Sequence, residues 1–246
     1  MDEYEGVLAR NYDALYGVMR DPSGDAAFYR ALAQETGGPV LELGCGTGRV
    51  LLPIAALGIS CVGVDASPSM LAALRAKNPP PTLELFEGRM ESFDLGDRRF
   101  RLVTSPFRAF QHLLDVPAQL AALANIRRHL LPGGLFAFDI FDPKLAWLIA
   151  PGDTERVDAT FVLDGVQTRR FSRTRTDLAA QIMEVTFRFE PAQVDGNTVV
   201  RLRWFYRYEI EHLLARAGFT DVAFFGGYDR RPWRPEGESV IVARAP

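Results

Sequence analysis

Three glycines at alternate positions, Gly44, Gly46 and Gly48, follow the short run Val40-Leu41-Glu42-Leu43 and precede a stretch with helical character. Glycine lets a chain turn sharply and lets a ligand come close to the backbone. N–H groups at a helix start can hold a carboxylate or phosphate. The spacing is Gly-x-Gly-x-Gly. The dinucleotide fingerprint Gly-x-Gly-x-x-Gly would need glycine where Arg49 stands, which argues against a nicotinamide cofactor. No Gly-Lys-Ser/Thr follows, so a phosphate loop is excluded. Asp65 stands 21 residues after Gly44, at the end of the next apolar run. A carboxylate there can accept both hydroxyls of a ribose, which suits any adenosine ligand; the structural alternative is a helix cap or strand-end turn.

These groups need strands to carry them. Short apolar runs at Val40–Leu43, Cys61–Val64, 82–86, 101–105 and Leu135–Asp139 alternate with helical stretches at 48–57, 68–77 and 117–130. Ser67 fits the N-cap of the second helix and Pro68 its first position. This alternation predicts a parallel sheet with helices on both faces. Two helices precede it, at 7–19 and 25–36, the second stopped by Gly37-Gly38-Pro39. The rhythm changes between about 155 and 206, where strand-like runs meet at Asp164-Gly165 and Asp195-Gly196. This stretch reads as an inserted antiparallel meander. A helix at 207–217 and strands at 221–225 and 239–243 finish the chain. The reading is one domain over 1–246, with a helical cap at 1–38 and an inserted sheet at 155–206.

Composition narrows the function classes. The 246 residues carry a net charge of −3, without the basic excess of a protein that grips phosphate backbones. No apolar run approaches a membrane span. The start Met-Asp-Glu-Tyr-Glu is too acidic for a signal peptide. Cys45 and Cys61 fall at opposite ends of neighbouring strands, roughly 13 Å apart and beyond disulfide reach. Reduced thiols fit the cytoplasm. No Cys/His cluster suggests a metal.

Val-Leu-Glu-Leu-Gly-Cys-Gly-Thr-Gly at 40–48 resembles the first motif of class I S-adenosylmethionine-dependent methyltransferases. Gly63-Val64-Asp65-Ala66-Ser67 and the following Pro68-Ser69-Met70-Leu71 look like their acidic second motif. Leu130-Leu131-Pro132-Gly133-Gly134 and Ala217-Gly218-Phe219 resemble the turns before their fifth and sixth strands. The resemblance covers nearly the whole chain. It implies a Rossmann-like seven-stranded α/β fold with the meander inserted, S-adenosylmethionine as cofactor and S-adenosylhomocysteine as product. It also implies roles. Gly44, Cys45 and Gly46 would lie against the methionine part, and Glu42 near its amino group. Asp65 would bind the ribose beside Ala66, with Met70 near the adenine. Gly88-Arg89-Met90-Glu91 fills the loop that flanks adenine. Many relatives have Asp where Arg89 stands, so the backbone of Met90 is left to serve. Ser105 would lie beneath the sulfur. Tyr16, with Tyr12, would close over the methionine end; simple helix packing is the alternative.

Methyl transfer from a sulfonium is an in-line displacement, so the enzyme mainly aligns the acceptor, and a base is needed only for a protonated one. The segment Ser105–His112, with Phe107 and Arg108, should border the acceptor, since ligands in open α/β sheets bind beyond the carboxyl ends of the strands. It lacks the Asn/Asp-Pro-Pro-Tyr signature of enzymes acting on nucleic-acid base amino groups. Similar small-molecule N-methyltransferases place a histidine here, so His112 is expected to orient or deprotonate the acceptor, against a plain backbone-bonded helix residue. Asp139 and Asp142 end the fifth strand, either holding a cationic amine or capping a helix. Alternation predicts Arg201, Arg203 and Phe205 on one face, and Trp204, Tyr206 and Tyr208 on the other. The plain reading is a charged outer face and a packed inner one; the functional alternatives are a lid, with arginines toward an anionic substrate, and a contact between two copies. The leading expectation is methyl transfer to nitrogen or oxygen of a small molecule. The alternatives are a cofactor-binding protein without transfer (cyclase-like or a partner subunit) and a protein or RNA methyltransferase.

Overall fold

The computed structural model describes residues 7–19, 23–141, 148, 154–191, 197–235 and 237–246. The expected roles of Asp142 and of the turn at Asp195-Gly196 lie outside them. Two helices, α1 (Val7–Met19) and α2 (Ser23–Thr36), lead into β1 (Val40–Leu43), α3 (Leu51–Ala55), β2 (Cys61–Asp65), α4 (Pro68–Arg75), β3 (Leu83–Glu87) and β4 (Phe100–Ser105). A 3-10 turn (Ala109–His112), α5 (Val116–Arg128) and β5 (Leu130–Phe141) come next. The insertion is β6 (Arg156–Leu163), β7 (Val166–Asp177), β8 (Ile182–Glu190) and β9 (Thr198–Arg203). The chain closes with α6 (Arg207–Arg216), β10 (Thr220–Phe225) and β11 (Glu238–Arg244).

The main sheet has seven strands in the order β10-β11-β5-β4-β1-β2-β3, and the insertion is a separate four-stranded sheet in chain order. Strand β1 lies between β2 and β4, parallel to both. The chain direction across the sheet reverses there, and such a switch point opens a crevice at the carboxyl ends of the strands. One face packs Phe136, Phe138 and Val103 against α5 and α6. The other packs Val40, Leu102 and Ala137 against α2, α3 and α4. Both cysteines are buried and free. Burial, then Glu42, pushes the Cys61 thiol up to about 12, so it stays protonated.

Three local expectations change. Helix α3 starts at Leu51 rather than 48, because Gly48 has φ +82° and the chain is still turning. A Cβ there would also meet Leu74 Cδ1 at 2.8 Å. Strand β5 begins at Leu130 and runs through Pro132-Gly133-Gly134, which forms an irregularity inside the strand, where β4's register shifts between Phe100 and Leu102. Strand β9 stops at Arg203, so two-residue alternation no longer governs the residues after it. Trp204 and Phe205 are both buried, Tyr206 is exposed ahead of α6, and Tyr208 is exposed within it.

The Asp164-Gly165 turn between β6 and β7 has φ values of +49° and +80°, the left-handed pair that a two-residue hairpin favours. The inner face of the insertion packs Ala159, Phe161, Phe189 and Val200 against Leu15 of α1. Its arginines meet carboxylates nearby. Arg170, buried, grips Asp158 through Nε and a terminal nitrogen, each at 2.9 Å. Arg188 reaches Glu155 and Glu190 at 2.7 Å, and Arg203 reaches Glu209 at 2.5 Å.

His129, at the end of α5, is buried against Phe93 at 4.8 Å between centroids. Its Nδ1 lies 2.9 Å from the Asn125 carbonyl, so Nδ1 carries the hydrogen and Nε2 is a buried atom without a partner. Protonation would bury an unmatched N–H. Burial lowers the pKa, with Arg128 and Arg99 adding to it against the Asn125 carbonyl and Asp94. A depressed histidine binds its proton more readily in the unfolded chain, so stability falls as pH drops below about 6.5. Melting temperature is expected to decline from pH 7 toward 5.5 in the wild type and less steeply in His129→Gln. Parallel curves would rule His129 out as the source.

Candidate active site

The glycine turn is built from internal hydrogen bonds. Gly44 and Cys45 donate N–H bonds to the Val64 carbonyl at 2.8 and 3.2 Å, and Gly46 donates to Asp65 Oδ2 at 2.7 Å. These three N–H groups are therefore committed inside the protein. What the glycines supply is closeness. Gly44 has φ +70°, and a Cβ on it would stand 2.8 Å from the Ala109 methyl. Gly46 has φ +53° and nothing within 4 Å of where its Cβ would be, so its backbone faces open space.

Asp65 ends β2 and organises both neighbours. Besides Gly46, it accepts from the Ser67 N–H through Oδ1 at 2.8 Å. Ser67 in turn caps α4, its Oγ accepting from Met70 N–H at 3.2 Å. Met70 is buried and Ala66 is exposed. Beyond β3, Arg89 turns outward to Glu91 at 2.6 Å, while half-buried Met90 packs on the main core. Glu42 is buried on β1 with Oε2 lacking a partner, and burial pushes its carboxyl well above the usual range against the pull of Arg49. Ser105, at the end of β4, is fully buried with a hydroxyl that also lacks a partner.

Helix α1 roofs this turn. Thr47 Oγ1 donates to Asp13 Oδ1 at 2.6 Å, and Lys77 bridges Asp13, at 2.6 Å, to the Thr47 carbonyl, at 2.8 Å. Tyr12 and Tyr16 lie tilted against each other at 4.5 Å between centroids, and the Phe107 ring stands edge-on to Tyr16 at 4.8 Å. Burial, then Tyr16, keeps the Tyr12 hydroxyl protonated. The Arg49 guanidinium lies 5.3 Å from the Phe107 centroid and forms a two-point ion pair with buried Asp25 at 2.6 and 2.8 Å. Sequence reasoning noticed Arg49 only as a missing glycine. It did not find Asp13, Asp25, Thr47 or Lys77, whose partners are distant in the chain.

The segment after β4 borders the same crevice. Phe107 and Arg108 both take left-handed backbone, φ +56° and +66°. Arg108 lays its guanidinium over Phe141 at 5.1 Å and pairs with Glu238. His112, half-buried, ends the 3-10 turn. That turn is fastened by Gln111, which donates to the Arg203 carbonyl at 3.0 Å and accepts from Phe141 N–H at 3.1 Å. Asp139 lies near the end of β5. It is fully buried, and its carboxylate accepts from Tyr29 Oη at 2.7 Å and from the N–H groups of Phe107 and Arg108 at 2.8 and 3.0 Å.

Residues 40–134 match the family described as a methyltransferase domain. The chain is 27% identical to a cypemycin N-terminal methyltransferase of Streptomyces over 97% of this chain and 96% of that one. It is 29% identical, at a TM-score of 0.83, to the solved CcbJ methyltransferase of Streptomyces caelestis, over 100% and 99% of the two chains. It is 25% identical, at 0.72, to the S-adenosylmethionine-bound structure of CalS10, an amino pentose methyltransferase from Micromonospora echinaspora, over 100% and 99%. This protein is a class I S-adenosylmethionine-dependent methyltransferase. The likeness extends through the insertion to both ends of the chain.

The site of this methyltransferase fits its cofactor on its own terms. A buried, unmatched carboxyl oxygen on Glu42 suits a cationic amine, and the open face of Gly46 beside Asp65 suits an adenosine ribose. When bound, the cofactor supplies a methyl group on a sulfonium that leaves as a neutral thioether. The residues of the chain do the rest. Asp65 and the glycine turn would bind and orient the cofactor. Tyr12, Tyr16 and Phe107 pack their rings together and would exclude water from the methionine end. The chain beyond β4 would align the acceptor, and alignment is the main lever for such a displacement. Among the described residues, no cluster of three His, Cys, Asp or Glu is placed to hold a metal, and no helix is long and apolar enough to cross a membrane.

Proposed function

We propose that this methyltransferase acts on an amine nitrogen of a small molecule in the cytoplasm. One observation carries the reading. Likeness over the full chain, insertion included, joins it to one enzyme named for an N-terminal amine and another named for an amino pentose. Two buried free thiols support a reducing compartment. The insertion serves as a roof support, its inner apolar face packing against α1.

In this reading His112 orients the amine or accepts its proton, being the titratable side chain at the end of the turn beyond β4. The test is incubation with methyl-labelled S-adenosylmethionine and a panel of amino sugars and short peptides with free N-termini, with hydroxylated analogues as controls. Labelled N-methyl product from the amines supports the reading, and label only on oxygen overturns it. His112→Gln is expected to lower kcat about 10²-fold, as loss of a positioned proton acceptor does. Turnover unchanged from pH 6 to 9 would remove His112 from the mechanism.

A further inference from the structure

Phe107 and Arg108 are consecutive non-glycine residues in left-handed backbone, at φ +56° and +66°. Side chains disfavour that region, and neither residue is of the Asn or Asp type that tolerates it best. Such a conformation persists only when its surroundings over-determine it. What holds it is one carboxylate. Phe107 N–H donates to Asp139 Oδ2 at 2.8 Å and Arg108 N–H to Asp139 Oδ1 at 3.0 Å. Two successive N–H groups converging on one anion form a nest, here filled by the protein's own side chain. The bonds are charge-assisted, and they sit where water does not compete, since Asp139 is fully buried. Tyr29 of α2, also fully buried, fixes the carboxylate from the other side through a 2.7 Å bond from its hydroxyl.

The nest sends its two side chains to different walls. The Phe107 ring joins Tyr16 and Arg49 under the α1 roof. The Arg108 guanidinium goes to Phe141 and Glu238 at the adjoining ends of β5 and β11. We propose that Asp139, steadied by Tyr29, is a positioning residue for methyl transfer: it holds the Phe107–Arg108 nest and so sets the roof side and the acceptor side of the site together. This rests on reading the segment beyond β4 as the acceptor wall. Asp139 belongs neither to the glycine turn nor to the Asp65 cluster, so its removal should disturb alignment more than cofactor affinity.

The test uses the full chain as wild type, Asp139→Asn and Tyr29→Phe. Amide hydrogen exchange is followed in peptides covering 106–109, S-adenosylhomocysteine binding by calorimetry, and kcat and KM with an amine found by the labelling screen. In Asp139→Asn, exchange at 107 and 108 should quicken about tenfold or more while β1 and β2 keep their protection, as expected of a local opening. The S-adenosylhomocysteine Kd should stay within about fivefold while kcat falls about tenfold or more, the pattern of lost alignment. Tyr29→Phe leaves both nest bonds in place and should shift exchange and kcat the same way by a smaller factor. Wild-type exchange at 107 and 108 in Asp139→Asn overturns the proposal. So does faster exchange throughout the core with a kcat loss matching the unfolded fraction, which would mark a structural role only. If Asp139→Asn does not fold, Tyr29→Phe decides, and unchanged exchange and kcat in that variant overturn the proposal. If the wild type methylates no amine, the acceptor reading fails, while the exchange comparison still decides whether Asp139 holds the nest.

Discussion

Asp65→Ala should weaken S-adenosylhomocysteine binding by about two orders of magnitude or more, the largest loss expected from any single change in the cofactor site. A carboxylate offers about four lone-pair positions. Gly46 N–H takes one at 2.7 Å and Ser67 N–H another at 2.8 Å. The resemblance of the second motif assigns two ribose hydroxyls to the same carboxylate. Hydrogen bonds to a charged group contribute roughly 1.5–3 kcal/mol each, so losing two ligand bonds costs about 3 kcal/mol or more. The truncation also releases the Gly46 N–H, so the turn that approaches the ligand loses one of its three bonds to β2. Asp65→Asn separates the two effects. An amide keeps the shape but has only one acceptor oxygen, and its NH₂ would face an N–H donor. Its affinity should fall between those of wild type and Asp65→Ala. Calorimetry checks all three proteins, and an Asp65→Ala Kd within about threefold of wild type would remove Asp65 from the ribose site.

The parts of this site that could be read from sequence are those whose partners are close in the chain. Gly44, Gly46 and Gly48 announce a tight turn by composition, and all three have positive φ. Ser67-Pro68 marks a helix start, and Ser67 caps it three residues on. Asp164-Gly165 marks a hairpin and makes one. The layered α/β order arises from the same local periodicities. Residues that close the site over itself carry no such mark. Asp13 and Thr47 are 34 positions apart, and Tyr29 and Asp139 are 110 apart. Asp139 shows the limit well. Its place at a strand end suggested an outward carboxylate. It instead faces the N–H groups of the left-handed turn at 107–108, and nothing in Phe-Arg announces that conformation. Gln111 is fully buried and ties the turn beyond β4 to the insertion through Arg203, 92 positions away. Strand alternation misplaced Trp204, Tyr206 and Tyr208 for a related reason. The rule is sound within a strand, and the strand had ended at Arg203.

Arg49→Met should produce the largest loss of stability among changes near the site. Asp25 is 2% exposed and receives both terminal nitrogens of Arg49, at 2.8 and 2.6 Å. Removing one partner of a buried pair leaves the other charge uncompensated and typically costs about 3–5 kcal/mol. Met replaces much of the Arg49 stem, so the loss comes mainly from the stranded carboxylate rather than from a cavity. At about 2–4 °C per kcal/mol for a domain of this size, the melting temperature should fall by about 6–12 °C or more. The stranded charge also makes a sharper forecast. Adding Asp25→Leu to Arg49→Met removes the uncompensated group, so the double variant should melt above the single Arg49→Met variant, a coupling that a double-mutant cycle measures directly. If the two losses simply add, the pair is not what holds α2 to the exit of the glycine turn. The same cycle bears on the active site, because Arg49 also lies over Phe107. A cation over an aromatic face contributes about 0.5–1 kcal/mol. The double variant should therefore recover stability without recovering that contact, and its remaining shortfall in methyl transfer reports how much Arg49 steadies the roof of the site.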